Sequence, residues 1–287
     1  MFKRYWRIWL GAIVIIIIAG STWLLRPQMI ARQAQQRVVV TTVGLADIFA
    51  KLDIPVVGVP TTTATLAASQ KKLPKVGDHV TPNFEKIISL QPDVVYVDAS
   101  LVSDYRPKLR AHKIRVVGVD MGTAAKQNKA ILHFGKLFKR TAQARQLVQK
   151  LTIPTVHPKH PVSVLVLLGM PGGQSMVATS QSYVGDLVVR AGGRLIQDDQ
   201  KSAYTLLNSE TILKAKPQVI IRIAHAMPEI VQQQFNNEFK TGIWPRLPAV
   251  QKHQVYDGHA PKFSPSANDH VQQTYQQIKA WIDEANK

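Results

Sequence analysis

The chain of 287 residues contains no cysteine. That absence excludes disulfides, thiolate metal sites, cysteine nucleophiles and attachment of lipid through an N-terminal cysteine. It leaves the redox compartment open, because many exported proteins also lack the residue. Acidic residues are scarce: 18 Asp and Glu stand against 36 Lys and Arg, a formal net charge of +18, and the first 37 residues hold no acidic side chain. The chain after residue 37 still carries 30 basic and 18 acidic residues, which suits a surface working near anionic lipid or cell-wall polymer. Signatures of catalysis are missing too, with no GxSxG elbow, GxGxxG, Walker A loop or HExxH helix. Nucleic-acid binding is not expected, since no arginine cluster with interleaved aromatics and no finger or RNP-like motif occurs. Gly169-Met170-Pro171-Gly172-Gly173 follows a strand candidate as phosphate loops do, but it lacks the Lys-Ser/Thr pair and the immediate helix. It reads instead as a loop lining a cleft.

What is present begins at the N-terminus. Lys3, Arg4 and Arg7 precede an uncharged stretch that opens at Ile8 and closes at Leu25, long enough to cross a bilayer as a slightly short helix. Positive charge before it predicts the N-terminus inside and the body outside. A cleaved signal peptide is the rival, with Ala19-Gly20-Ser21 as a poor cleavage site. Because Trp23, Leu24 and Leu25 extend the apolar run past that point, a retained single-pass anchor is favoured. Residues 27–37 then form a short polar tether, and the expected location is the plasma membrane with the body on the extracytoplasmic face.

Beyond the tether, short β-branched runs alternate with helical segments. Residues 38–43, 56–59, 94–97, 116–119, 162–168, 219–223 and 255–257 are strand candidates, and their continuous apolar character predicts parallel sheets covered by helices. An internal repeat organises them. Asn83-Phe84-Glu85-Lys86-Ile87, a proline at 92 and a strand candidate from Val94 return as Asn208-Ser209-Glu210-Thr211-Ile212, Pro217 and a strand candidate from Val219. The offset is 125 at each matched position. The chain therefore divides into an anchor and tether (1–37), lobe one (38–123), a connecting helix and linker (124–160) and lobe two (161–287). Residues 124–151 carry apolar side chains at helical spacing and predict one long helix that limits hinge motion. Val271, Tyr275, Ile278 and Ile282 share one face of a closing helix. The fold class is α/β, two Rossmann-like lobes joined by a long helix and preceded by a transmembrane helix.

Open α/β sheets bind ligands beyond the carboxyl ends of their strands, so two facing lobes make a cleft. The offset of 125 maps His225, just past the lobe-two strand, onto Ser100. Imidazole at that place can ligate iron through one nitrogen while a hydrogen bond holds the other; a solvated or internally bonded histidine is the plain alternative. His79, in the loop before the first Asn-x-Glu helix, is the second candidate. His157, His160, His253, His259 and His270 are expected in solvent. Met121, Met170, Met176 and Met227 are possible thioether donors that rank below the histidines. The expected cleft-lining set is Val80, Ser100, Met170, Met176, Tyr183 and Met227. Glu85 and Glu210, related by the repeat, are either carboxylates stabilised by a helix dipole or a symmetric pair docking onto arginines of a two-fold partner.

From residue 38 to about 285 the chain resembles the class III substrate-binding proteins of ABC importers, which take up haem, siderophores and cobalamin. The carriers are the segment from Asn83 through Gln91-Pro92-Asp93-Val94-Val95 and its lobe-two echo. A closer likeness is to the haem-receptor branch of Gram-positive cells. It rests on Leu73-Pro74-Lys75-Val76-Gly77, Met176-Val177-Ala178-Thr179, Ser182-Tyr183-Val184-Gly185-Asp186-Leu187-Val188 with Ala191-Gly192-Gly193, and His225-Ala226-Met227-Pro228-Glu229. The resemblance implies permease contacts at Glu85 and Glu210 and an axial haem ligand at His225. The branch's second ligand, a methionine, is replaced here by Val80, with His79 beside it. The branch's lipoprotein anchor is likewise replaced by the N-terminal apolar segment. The expectation is a non-enzymatic receptor passing haem to an ABC permease. A receptor of the same fold for a ferric siderophore or other chelate is the alternative, and a tethered hydrolase or cell-wall module is the reading from another class.

Overall fold

The computed structural model describes residues 36–78, 81–224 and 226–287. The expected transmembrane helix, with Ile8 and Leu25 at its ends, lies outside the described residues. Among the described residues no helix is long and apolar enough to cross a membrane.

Two parallel-strand units follow one another. In the first, β1 (Val38–Val40), β2 (Val94–Asp98) and β3 (Arg115–Val119) form a parallel sheet in the order β1-β2-β3. Residues 56–59 and 75 join its far edge only through single bridges, Val39 to Gly58 and Val59 to Lys75. Its helices are α1 (Val43–Lys51), α2 (Phe84–Ser89) and α3 (Val102–Arg110). The second sheet runs β7-β5-β4-β8-β9, with β6 also on β4. Here β4 (Ser163–Gly169), β6 (Arg194–Leu195), β8 (Val219–Ala224) and β9 (Val255–Gly258) are parallel, while β5 (Ser175–Ala178) and β7 (Tyr204–Leu206) are antiparallel additions. The Gly169–Gly173 segment, expected as a loop, is thus the turn of a hairpin whose second strand is β5. At its tip Gly172 and Gly173 have φ of 102° and 84°.

The repeat is visible in hydrogen bonds. Asn83 caps α2 by accepting from the Lys86 N–H at 2.8 Å, and Asn208 caps α7 (Ser209–Ala215) by accepting from the Thr211 N–H at 2.9 Å. Each short helix leads into a buried central strand, as Asx N-caps before apolar runs predict. Helix α6 (Tyr183–Arg190) opens on Ser182, whose Oγ accepts from the Gly185 N–H at 3.1 Å. A Cβ at Gly185 would stand 1.9 Å from the Thr179 carbonyl oxygen, so this close approach admits only glycine.

The connector differs from expectation. Residues 124–151 are not one helix but two, α4 (Ala124–Leu137) and α5 (Thr141–Leu151), folded back on each other. Lys139 takes a left-handed conformation (φ 58°), and the Arg140 N–H donates to the Gly135 carbonyl at 2.7 Å, closing the turn. Gly135 lets the helices meet: a Cβ there would lie 2.3 Å from that of Ala144. Phe134 and Phe138 of this hairpin pack on Phe49 and Tyr96 of the first sheet unit, with ring centroids 4.8–6.5 Å apart.

One apolar core runs through both units, from Val38, Phe49 and Tyr96 to Val164, Leu187 and Ile278. Contacts between the units are specific. The Ala267 N–H donates to the Met121 carbonyl at 2.9 Å, Lys51 pairs with Asp269, and the Ala124 N–H donates to Asp186. The closing helix α9 (Val271–Ala285) buries Val271, Tyr275, Ile278 and Ile282, as its spacing predicts.

Candidate ligand-binding site

Of the candidate residues, Ser100 and Met227 follow the carboxyl ends of β2 and β8. In the first unit β2 ends at Asp98, whose carboxylate accepts from the Ser100 N–H at 2.9 Å and from its hydroxyl at 2.7 Å. This bends the chain into a single 3₁₀ turn and leaves Ser100 exposed. In the second, β8 ends at Ala224, level with Gly169 of β4, and Ile223 is level with Gly258 of β9. Met227 then adopts a left-handed conformation (φ 47°), 59% exposed, and Pro228 starts α8 (Pro228–Glu238). His225, between these fixed points, lies outside the described residues, as do His79 and Val80. Residues flanking the latter pair are joined by a bridge from Gly77 to Pro82, and the Thr81 N–H donates to Asp78 at 2.7 Å.

Met170 and Met176 lie on the lobe-two hairpin, and Met121 lies between the units. Met170 is half-buried at the β4–β5 turn, where its N–H donates to the Gln174 carbonyl at 2.8 Å. Met176, also half-buried, stands opposite Leu168 on β5. Met121 is buried between the units, against Gly44 and Ala267. Tyr183 is 0% exposed and belongs to the core; it does not line an open cleft. It begins α6 on the core-facing side, and burial drives its phenol above the ordinary range. His157, His160, His253 and His259 are exposed. His270 is half-buried, its Nε2 3.5 Å from Asp269.

Two groups at this edge were not foreseen. Tyr204 on β7 reaches the Pro265 carbonyl at 3.4 Å and lies near enough to Asp98 of the first unit to feel its charge. Burial first, and that carboxylate second, push its phenol pKa up. The second group sits under α8. Arg222, 8% exposed in the middle of β8, holds Asp257 of β9 through two bonds of 2.7 Å and bonds Asn236 at 3.1 Å. Its guanidinium lies 4.9 Å and 5.4 Å from the ring centroids of Phe239 and Phe235, and Gln232 donates to the same Asp257 at 2.8 Å. A bidentate, stacked arginine of this kind fixes geometry; here it ties α8 to β8 and β9, two residues before β8 ends at Ala224. An arginine inside an apolar strand run was the available signal.

Glu85 and Glu210 are both exposed, each in the first turn of its Asn-capped helix. Neither forms an ion pair among the described residues. No group of three or more His, Asp or Glu among the described residues is placed to hold a metal ion.

Comparisons with known proteins place the chain. It is 33% identical over 264 residues to the high-affinity heme uptake system protein IsdE of Staphylococcus aureus, covering 89% of this chain and 90% of that protein. The solved structure of S. aureus IsdE complexed with heme superposes with a TM-score of 0.80 at 33% identity, covering 86% of this chain and 99% of that one. An ABC transporter substrate-binding protein from Listeria monocytogenes EGD-e gives a TM-score of 0.80 at 30% identity over 87% of this chain and 99% of its own. The sequence profile of periplasmic binding proteins matches residues 38–261, so the chain belongs to the periplasmic binding protein family.

Proposed function

We propose that the chain is an extracytoplasmic receptor that captures haem between its two units and delivers it to an ABC permease. The observation that carries this reading is the similarity to IsdE, which extends over nearly the whole body and has its solved counterpart in complex with heme. In this reading haem is cargo. Its iron is held by His225, the residue directly after Ala224 at the carboxyl edge of β8, with His79 as second ligand. Val80, Ser100, Met170, Met176 and Met227 surround the porphyrin. The Arg222–Asp257 pair ties α8 to β8 and β9 two residues before Ala224. The shared core and the Ala124–Asp186 and Met121–Ala267 contacts favour a small closing motion on loading.

Delivery uses Glu85 and Glu210, two exposed carboxylates in repeat-related positions that suit arginines on a two-fold partner. Residues 1–37, with the apolar run from Ile8 to Leu25, tether the receptor to the plasma membrane, body outward.

Titration of the full chain in detergent with haem, followed by the Soret band, tests the proposal. Wild type shifts the band at a one-to-one ratio. His225→Ala weakens binding at least about tenfold, and His79→Ala changes the band position. Tight binding of a ferric siderophore with an untouched haem spectrum would overturn the reading in favour of a chelate receptor.

A further inference from the structure

From Met121 to Gly185 the chain contains no acidic residue, and the α4–α5 hairpin lies wholly within that stretch. On α4, Ile131, Phe134 and Gly135 face the core. The opposite side presents Lys129, Leu132, His133, Lys136 and Leu137, spaced as one helical stripe. Leu132 and Leu137 are 44% and 47% exposed. Among the described residues Lys129, Lys136 and Lys139 form no ion pair. Cations alternating with exposed leucines on one helical face match a headgroup layer, which takes apolar side chains and phosphate contacts together.

The location of this face agrees. Arg140, at the hairpin turn, donates from Nε to the Asp53 carbonyl at 3.3 Å. Asp53 lies just ahead of Val57, whose N–H meets the Val38 carbonyl at the amino end of β1. Arg37 precedes Val38, so the tether reaches the body at the same amino edge as the hairpin turn. Residues 27–37 span at most about 40 Å when extended, which keeps that edge near the bilayer once residues 8–25 are inserted.

We propose that the outer face of α4, with the α4–α5 turn, is a docking surface for an anionic membrane leaflet, and that it lays the unloaded receptor on the bilayer with its carboxyl edges turned outward. The inference rests on the retained anchor in the function proposed above. Glu85 and Glu210 stand toward the opposite edge, because each of their helices runs back against the strand it precedes. Resting on lipid and docking on a permease are therefore mutually exclusive postures.

The lack of native cysteine makes a site-specific probe straightforward. Leu132→Cys and, separately, Leu206→Cys (Leu206 is 78% exposed) are labelled with an environment-sensitive dye in the full chain and reconstituted into nanodiscs. With phosphatidylglycerol-rich discs the dye at 132 should shift to the blue and be quenched by doxyl lipid. High salt and the Lys129→Glu/Lys136→Glu variant should each reduce that quenching several-fold, and the dye at 206 should not respond. Equal emission at 132 in anionic and phosphatidylcholine discs would overturn the proposal, as would an equal response at 206. A shift at 132 caused by soluble polyphosphate without lipid would overturn it in favour of a polymeric anion. Haem titration of the same discs reads the receptor function separately, so the two ideas fail independently.

Discussion

Asp186, in the first turn of α6, accepts a 2.9 Å hydrogen bond from the Ala124 N–H at the start of α4. A carboxylate of the second sheet unit thus caps the helix that leaves the first. The same carboxylate holds Arg190 at 3.0 and 3.1 Å, so one side chain serves the helix dipole, the repeat boundary and an ion pair.

Replacing Asp186 with Ala removes a partly buried cap and leaves Arg190 without its partner. The expected loss is about 2 kcal/mol, seen as a lower urea midpoint with unchanged slope. Asp186→Asn should recover about half of it, because the amide oxygen still accepts from Ala124.

Arg222→Leu leaves Asp257 with an unmatched charge beneath α8 and should cost about 3 kcal/mol. The double variant Arg222→Leu/Asp257→Leu should be less damaging than either single change, since the remaining uncompensated charge disappears. Chemical denaturation of the four proteins gives the coupling directly. Additive single effects would show that the pair is not a unit.

Glu238 accepts from the Trp244 indole N–H at 3.1 Å, and burial holds its pKa above the ordinary carboxylate value, the Trp244 bond and Arg222 acting the other way. A raised acid binds its proton more tightly folded than unfolded. Its contribution is therefore present below the unfolded pKa and is lost as pH rises through the folded one. Glu238→Gln keeps the acceptor and removes the charge. It should be more stable than wild type at neutral pH, and the two should converge below about pH 4, as thermal melts across that range will show.

Charge reversal at Glu85 and Glu210 should leave the haem spectrum unchanged and lower the melting temperature only slightly, because both side chains are exposed, make no ion pair among the described residues and contribute only through their helix dipoles. Haem-dependent stimulation of the permease ATPase should fall several-fold with either change and disappear with both.

Much of the fold was legible because the repeat is written in local chemistry. Asn83 and Asn208 are N-caps whose bonds depend on neighbours three residues away, and the strands that follow are apolar on both faces, so period and capping agree. The bend between α4 and α5 was not legible. Lys139 carries no glycine or proline signal for its left-handed conformation, and the Gly135–Ala144 approach that accompanies the bend joins two separate helices. Strand β5 was hidden in a loop whose Pro-Gly-Gly tip dominates the local reading, and β7 (Tyr204–Leu206) is too short to give a period-two signal. Tyr183 illustrates the limit for the site: a sequence match gives its place in a motif, while only the fold shows that the ring turns into the core. The Arg222–Asp257 pair joins positions from different strands, and their pairing depends on a register that no single segment encodes.

The aromatic contacts of Phe134 and Phe138 with Phe49 and Tyr96 bear on how the chain matures. The first sheet unit cannot complete its interior until the connector has been added, so its strands must wait, incompletely covered, while translation or export proceeds amino end first. A fragment ending at residue 123 should therefore be a client for chaperones, whereas one ending after α5 should collapse into a protease-resistant product.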